Sequence, residues 1–243
     1  MRVPRIFSGG PLAPNSRVEL DENASRHVGR VLRMQVGRGL VLFNGEGGEY
    51  PATIAEVGKK RVSVDLGEFQ DCERESPLSI HLGIGISRGE RMDWVLQKAT
   101  ELGVSQITPL FTERTEVKLT GPRLDKKHNH WQQILISACE QCQRNRLPQL
   151  NTALTFNQWL PAITEAARFV LHHRTEQSLA QQPPPSSVAL VIGPEGGLSA
   201  DEIARCGEYQ FQPLALGPRV LRTETAPIAA ISVLQYLWGD LAG

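Results

Sequence analysis

Residues 188–202, VALVIGPEGGLSADE, carry the clearest chemical signal in the chain. An apolar run enters the loop Gly193-Pro194-Glu195-Gly196-Gly197, and Ser199 with Glu202 has the spacing of a capping box that opens a helix. Glycines let backbone approach a ligand closely, and a helix start leaves N–H groups free at the carboxyl end of a strand. The chemistry would be ligand binding by main chain. A tight strand-to-helix turn uses the same glycines, so the spacing alone leaves both readings open. Residues 214–231, LALGPRVLRTETAPIAAI, repeat the construction: a strand, a loop from Gly217 to Glu224, then a helix with Thr225 as expected N-cap and Pro227 just inside it. Two such loops would flank one crevice. Arg219, Arg222 and Glu224 stand in the second loop, where loop charges are commonly solvated or ion-paired. No GxGxxG follows the first strand and no GxxxxGK[ST] occurs, which removes the simple Rossmann and P-loop readings. Cys139 and Cys142 form a CxxC and residues 128–130 read HNH, but a zinc site needs four ligands and no second pair has suitable spacing. No metal is expected.

The elements that would hold these loops alternate. LSIHLGIGIS reads as a strand, RMDWVLQKATELGV as an amphipathic helix burying Met92, Val95, Leu96, Ala99 and Leu102 with Gly103 at its end, and SQITPLFT as a strand. A long helix over KKHNHWQQILISACEQCQR follows, then a helix near 156–167, strands ARFVLHH and SSVALVI, helix ADEIARCGEY and strand FQPLALG. A last helix runs from Pro227 to Trp238; it is uncharged and apolar nearly all round, so burial on every side is expected. Alternation of this kind predicts an α/β domain with a mostly parallel sheet covered on both faces. The polar stretch from His173 to Val188 is longer than an ordinary connection.

Before Asp71 the pattern is different. From Gly39 to about Gln70 short apolar runs are split by Asn44-Gly45, Gly47-Gly48 and Gly58-Lys59-Lys60, which predicts β-hairpins in a small barrel or sandwich. Asn23–Met34 reads as a helix capped by Asn23, with Val28, Val31 and Leu32 inward and Arg26, Arg30 and Arg33 within about 60° of one another as a cationic stripe suited to phosphates. The charged DCERESP marks a boundary, giving domains 1–72 and 73–243.

Composition sets outer limits. The 243 residues carry 26 basic and 26 acidic groups, but residues 1–40 hold seven arginines against three carboxylates, so contact with a polyanion should be led from that end. Apolar content of 40% and charged content of 21% fit a folded chain without long disorder. Four cysteines do not make a disulfide framework, and no apolar run reaches the roughly 20 residues of a membrane span; a cytoplasmic protein is expected.

The strings IGPEGGLS and LGPRVLRTETA, with KATELGV, ITPLFTERTE and ACEQCQR upstream, resemble the 16S ribosomal RNA uridine-N3 methyltransferases of the SPOUT superfamily over essentially the whole chain. The resemblance implies a trefoil-knotted α/β domain behind a PUA-like barrel, S-adenosylmethionine held by three loops, a homodimer, and the small ribosomal subunit as partner. Carried over by position, the cofactor residues are Leu171 and His172; Gly193, Pro194, Glu195, Gly196 and Gly197; and Leu216, Gly217, Leu221, Arg222, Thr223 and Thr225. One departure is Cys142, where a small residue such as serine or glycine is expected.

Methylating uridine N3 requires loss of its proton and stabilisation of charge on O2, N3 and O4. Arg222 is the leading cation and Glu195 or Glu224 the base or its orienter, with Glu140 and Arg144, one helical turn apart, as further candidates. Arg2, Arg5, Arg26, Arg30 and Arg33 are the expected RNA contacts. Two alternatives remain: a tRNA ribose 2′-O-methyltransferase of the same superfamily, disfavoured by the barrel and the LRTETA loop, and a non-catalytic ribosome-assembly factor, disfavoured by the intact glycine loops.

Overall fold

The computed structural model describes residues 3–172, 179 and 182–243; Arg2 and most of the polar stretch beginning at His173 lie outside them. The chain divides into two compact units, Met1–Glu75 with Cys139–Leu147, and Ser76–Ala138 with Pro148–Gly243.

In the first unit, β1 (Arg5–Phe7), β2 (Arg17–Glu19), β3 (Gly39–Phe43), β4 (Tyr50–Val57) and β5 (Val62–Leu66) form one sheet in the order β1-β3-β4-β5-β2. Only β1 and β3 pair in parallel. The period of two is visible in β4 and β5, where Ala52, Ile54, Val62, Val64 and Leu66 turn inward to meet Ile6, Leu40 and Leu42.

The helix expected over Asn23–Met34 is shorter and differently wound. α1 (Glu22–Arg26) is capped by Asp21, whose carboxylate accepts from the Ala24 N–H at 2.9 Å, rather than by Asn23. It widens into a π-helical turn over His27–Val31, and Arg33 leaves with φ +50°. Wider winding changes which residues share a face, so Val28 is buried while Val31 is 66% exposed. Arg5 is a second correction. Its guanidinium is buried, pairs with Glu49 and Asn145, and lies 5.1 Å from the Phe43 ring centroid, so it holds the unit together instead of facing RNA.

The second unit contains, in chain order, β6 (Ser79–Gly85), α2 (Glu90–Glu101), β7 (Gln106–Phe111), α3 (Pro122–Cys142, its last turn assigned to the first unit), β8 (Gln149–Leu150), β9 (Leu154–Thr155), α4 (Phe156–Trp159), β10 (Ala167–Leu171), β11 (Ser187–Ile192), α5 (Ala200–Glu208), β12 (Gln212–Leu214) and α6 (Thr225–Trp238). The sheet order is β12-β10-β11-β6-β7-β8, with β9 also on β7, and every pair is parallel. Central strands β6 and β11 are apolar runs because both faces are covered. Val188, Leu190 and Ile192 pack with Met92, Leu96, Trp131, Ile231 and Leu234, while Ala189 and Val191 pack with Trp159, Cys206 and Phe211.

Local signals mostly hold. Ser199 and Glu202 form both halves of the capping box, and Gly103 ends α2 at φ +82°, a conformation that glycine adopts without a Cβ clash. Three expectations change. The helix near 156–167 stops after a 3-10 turn at Leu160–Ala162, and Ala167 already starts β10. Thr225 is the first residue of α6, not its cap; its N–H and that of Ala226 donate to the Arg222 carbonyl, both at 2.9 Å. Finally, α6 is not buried all round: Ala230, Ile231 and Leu234 are, but Val233 is 37% and Tyr236 63% exposed. No helix among the described residues is long and apolar enough to cross a membrane.

Candidate functional site

Adjacent strands β12, β10 and β11 end on the same edge of a parallel sheet, and the chain leaving each enters one pocket of about 390 Å³. That edge is where open α/β sheets bind ligands, and the size lies within the ~300–1,000 Å³ usual for small-molecule sites. Leu171 and His172 enter from β10. The whole of Gly193–Gly197 lines the pocket from β11, and Leu216, Gly217, Leu221 and Thr223 line it after β12. Arg222 and Thr225 do not: both are exposed beside it.

The glycine loop is folded on itself. A Cβ on Gly193 would stand 2.7 Å from the Gly197 carbonyl carbon and the Leu198 nitrogen, both backbone, so no side chain fits. The Gly197 N–H donates to the Pro194 carbonyl at 2.8 Å and closes the turn. From β6, Gly85 permits the approach, since a Cβ there would overlap the Pro194 backbone nitrogen. Past the loop, the buried Glu202 carboxylate accepts from the Ser199 N–H at 2.8 Å and from the Glu113 N–H at 2.9 Å, tying the start of α5 to the segment after β7.

Glu195 is held rather than free. One carboxylate oxygen accepts from the Arg88 N–H at 2.9 Å and from the Arg91 guanidinium at 3.0 Å. Partial burial alone would raise this carboxyl, but the donated hydrogen bonds outweigh it and hold the group below the usual carboxylate range. The same guanidinium reaches Glu224 at 3.9 Å, so Arg91 at the start of α2 touches both loops.

Glu140 and Arg144 belong to the first unit and do not line the pocket. The Glu140 carboxylate accepts from the Phe7 N–H at 2.9 Å, and burial pushes its carboxyl up despite that bond. Arg144 is buried and donates through Nε to Glu75 at 2.9 Å. Their i, i+4 spacing therefore reflects packing. Arg219 and Val220, within the second loop, also line the pocket; sequence reasoning missed Arg114, which lines it and donates to the Gly196 carbonyl at 2.8 Å, and the apolar wall of Ile192, Leu198 and Ile203. Arg114 lies in the ITPLFTERTE string, but nothing local shows that β7 and β11 flank β6. Among the described residues no group of three or more His, Cys, Asp or Glu is placed to hold a metal ion.

Fold and site define a parallel α/β protein that binds a small molecule at the carboxyl edge of its sheet, largely through backbone, and that carries a small mainly antiparallel β unit earlier in the chain. Residues 74–235 match the RNA methyltransferase domain family and residues 20–67 the RNA methyltransferase PUA domain. The chain belongs to the RNA methyltransferase family, with the SPOUT-type parallel sheet and PUA-like N-terminal unit seen in its relatives. It is 37% identical over 243 residues to the ribosomal RNA small subunit methyltransferase E of Buchnera aphidicola, covering 99% of both chains. Among solved structures, a Legionella pneumophila methyltransferase in complex with the bound cofactor SAM is 47% identical with TM-score 0.96, covering 99% of this chain and all of that one. The ribosomal RNA small subunit methyltransferase E of Neisseria gonorrhoeae, bound to S-adenosyl methionine, is 36% identical with TM-score 0.91 over 99% of this chain and all of that one.

Proposed function

We propose that this chain transfers the methyl group of S-adenosylmethionine to N3 of a uridine in 16S ribosomal RNA, on the assembled small subunit. The observation that carries the reading is the three-loop pocket, in a chain 47% identical to a methyltransferase solved with that cofactor. The residues present fit it. Leu171, Ile192, Leu198 and Leu216 offer an apolar wall for an aromatic base, the Gly193 cradle presents backbone where a Cβ could not stand, and Arg114 and Arg219 suit a carboxylate end. When bound, the cofactor supplies an electrophilic methyl group.

The chain's own groups do the rest. Arg222, exposed beside the pocket, stabilises charge developing on the uracil oxygens. Glu195 is spent on Arg88 and Arg91, which leaves Glu224 as the carboxylate to accept or orient the N3 proton. Residues 1–72 bind RNA, with Arg26 and Arg30 on phosphates, and 73–243 carry out methyl transfer. The exposed Val233 and Tyr236 on α6 support a homodimer built on that face, and a trefoil knot in the cofactor loops and a cytoplasmic location complete the reading. Mass spectrometry of nucleosides from 16S RNA, after small subunits lacking the modification are incubated with protein and cofactor, tests it. 3-Methyluridine is the expected product; none, or a ribose-methylated nucleoside, overturns it.

A further inference from the structure

The turn joining β4 to β5 faces a groove whose lining carries more cations than carboxylates. The Gly58 N–H donates to the Arg61 carbonyl at 2.8 Å, which places Lys59 and Lys60 at the corner of the hairpin. Both lysines line a groove of about 690 Å³ together with Arg26, Gly29 and Arg30 from α1 and the π-helical turn. Five cations line it: Arg26, Arg30, Lys59, Lys60 and Arg61.

Three carboxylates, Glu19, Asp21 and Glu22, also line the groove, but two are spent. Glu19 pairs with Arg61 at 3.0 Å. Asp21 caps α1 through one oxygen and accepts from the Gly9 N–H at 3.2 Å through the other. An adjoining depression shares Lys59, Lys60 and Arg61 and adds Glu56. Among the described residues, Arg30, Lys59 and Lys60 make no ion pair, and the hydrogen bond from Arg26 goes to the neutral Asn23 side chain. Arg26, Arg30, Lys59 and Lys60 are thus four cations without a carboxylate partner, set against Asp21, Glu22 and, in the adjoining depression, Glu56, and the lining keeps a net positive charge. Apart from Leu20 and Val57 the walls are polar, so the groove offers no stacking surface for a base and suits a run of phosphates.

We propose that this groove seats the phosphodiester backbone of the RNA substrate, with Lys59 and Lys60 as two of its phosphate contacts. This rests on the RNA-modifying reading above and relocates the expected stripe: Arg26 and Arg30 take part, while Arg33, turned out of the helix at φ +50°, does not line the groove. The test compares full-length wild type, the double variant Lys59→Ala/Lys60→Ala and Arg33→Ala for binding to small subunits between 50 and 200 mM KCl. Each lost phosphate contact lowers the log–log salt slope by about 0.7 for single-stranded to 0.9 for duplex nucleic acid, so the double variant should lose about 1.4–1.8 of slope, which amounts to roughly seven- to twelvefold in affinity across the range. S-adenosylmethionine affinity by calorimetry and melting temperature stay at wild-type values, and Arg33→Ala keeps the wild-type slope. An unchanged slope in the double variant overturns the groove, as does binding to anionic vesicles but not to RNA. If wild type binds subunits without forming 3-methyluridine, the proposed function fails while the slope comparison still decides the groove.

Discussion

Replacing Glu195 with glutamine separates two roles that its place in the pocket leaves in competition. If the carboxylate orders the loop, glutamine keeps a carbonyl oxygen to accept from the Arg88 N–H, now 2.9 Å away, and loses only the charge opposite Arg91 at 3.0 Å. The two side chains are 28% and 49% exposed, so water screens the pair and its loss costs about 0.2–1 kcal/mol, at most about fivefold in cofactor affinity. If Glu195 instead took the N3 proton, the turnover rate would fall by roughly 10²–10⁴. Calorimetry with S-adenosylmethionine, and methylation of small subunits at saturating cofactor read by nucleoside mass spectrometry, measure the two quantities apart. The expected result is a Kd raised less than about fivefold with kcat within a few-fold of wild type. A hundredfold loss in kcat at unchanged Kd would refute the clamp. The pH profile gives a second check. A carboxyl held low is already ionised well below neutrality, so no rising limb near neutral pH should disappear in Glu195→Gln.

Gly193→Ala forces a Cβ to within 2.7 Å of two backbone atoms, an overpacking cost of about 1–3 kcal/mol that falls on the pocket, so cofactor affinity should drop roughly ten- to hundredfold by calorimetry. Gly196→Ala, which meets only the Arg114 side chain at 3.0 Å, should cost less. Burial raises the Glu140 carboxyl, so it stabilises the fold below its unfolded-state pKa and loses that contribution as pH rises through the folded value. Glu140→Gln keeps an acceptor for the Phe7 N–H; in urea at pH 7.5 it should be as stable as wild type or more stable by up to about 1 kcal/mol, with methylation unchanged, and the gain should vanish at pH 4. Tyr236 is 63% exposed, so Tyr236→Glu should leave the melting temperature within a few degrees while shifting sedimentation from dimer to monomer; an unchanged dimer removes α6 as the interface.

What could be read without coordinates was local. The Ser199/Glu202 box, the Gly103 terminus, the alternation in β4 and β5 and the glycine loop each depend on residues within a few positions, where sterics and short hydrogen bonds decide conformation. The boundaries that slipped did so where a local competitor won, as when the Asp21 side chain took the cap expected of Asn23 and a π-helical turn replaced the 3.6 period. Partners of charged side chains could not be read this way. Arg5, Glu140 and Arg144 look like functional charges in sequence, but folding gives them Glu49, the Phe7 N–H and Glu75 respectively. Arg88, Arg91 and Arg114 look like surface charges, yet the order β11-β6-β7 carries them to the glycine loop. Secondary structure is chosen by neighbours in the chain. Which charge meets which depends on strand order, and strand order is set by burying apolar faces that lie many residues apart.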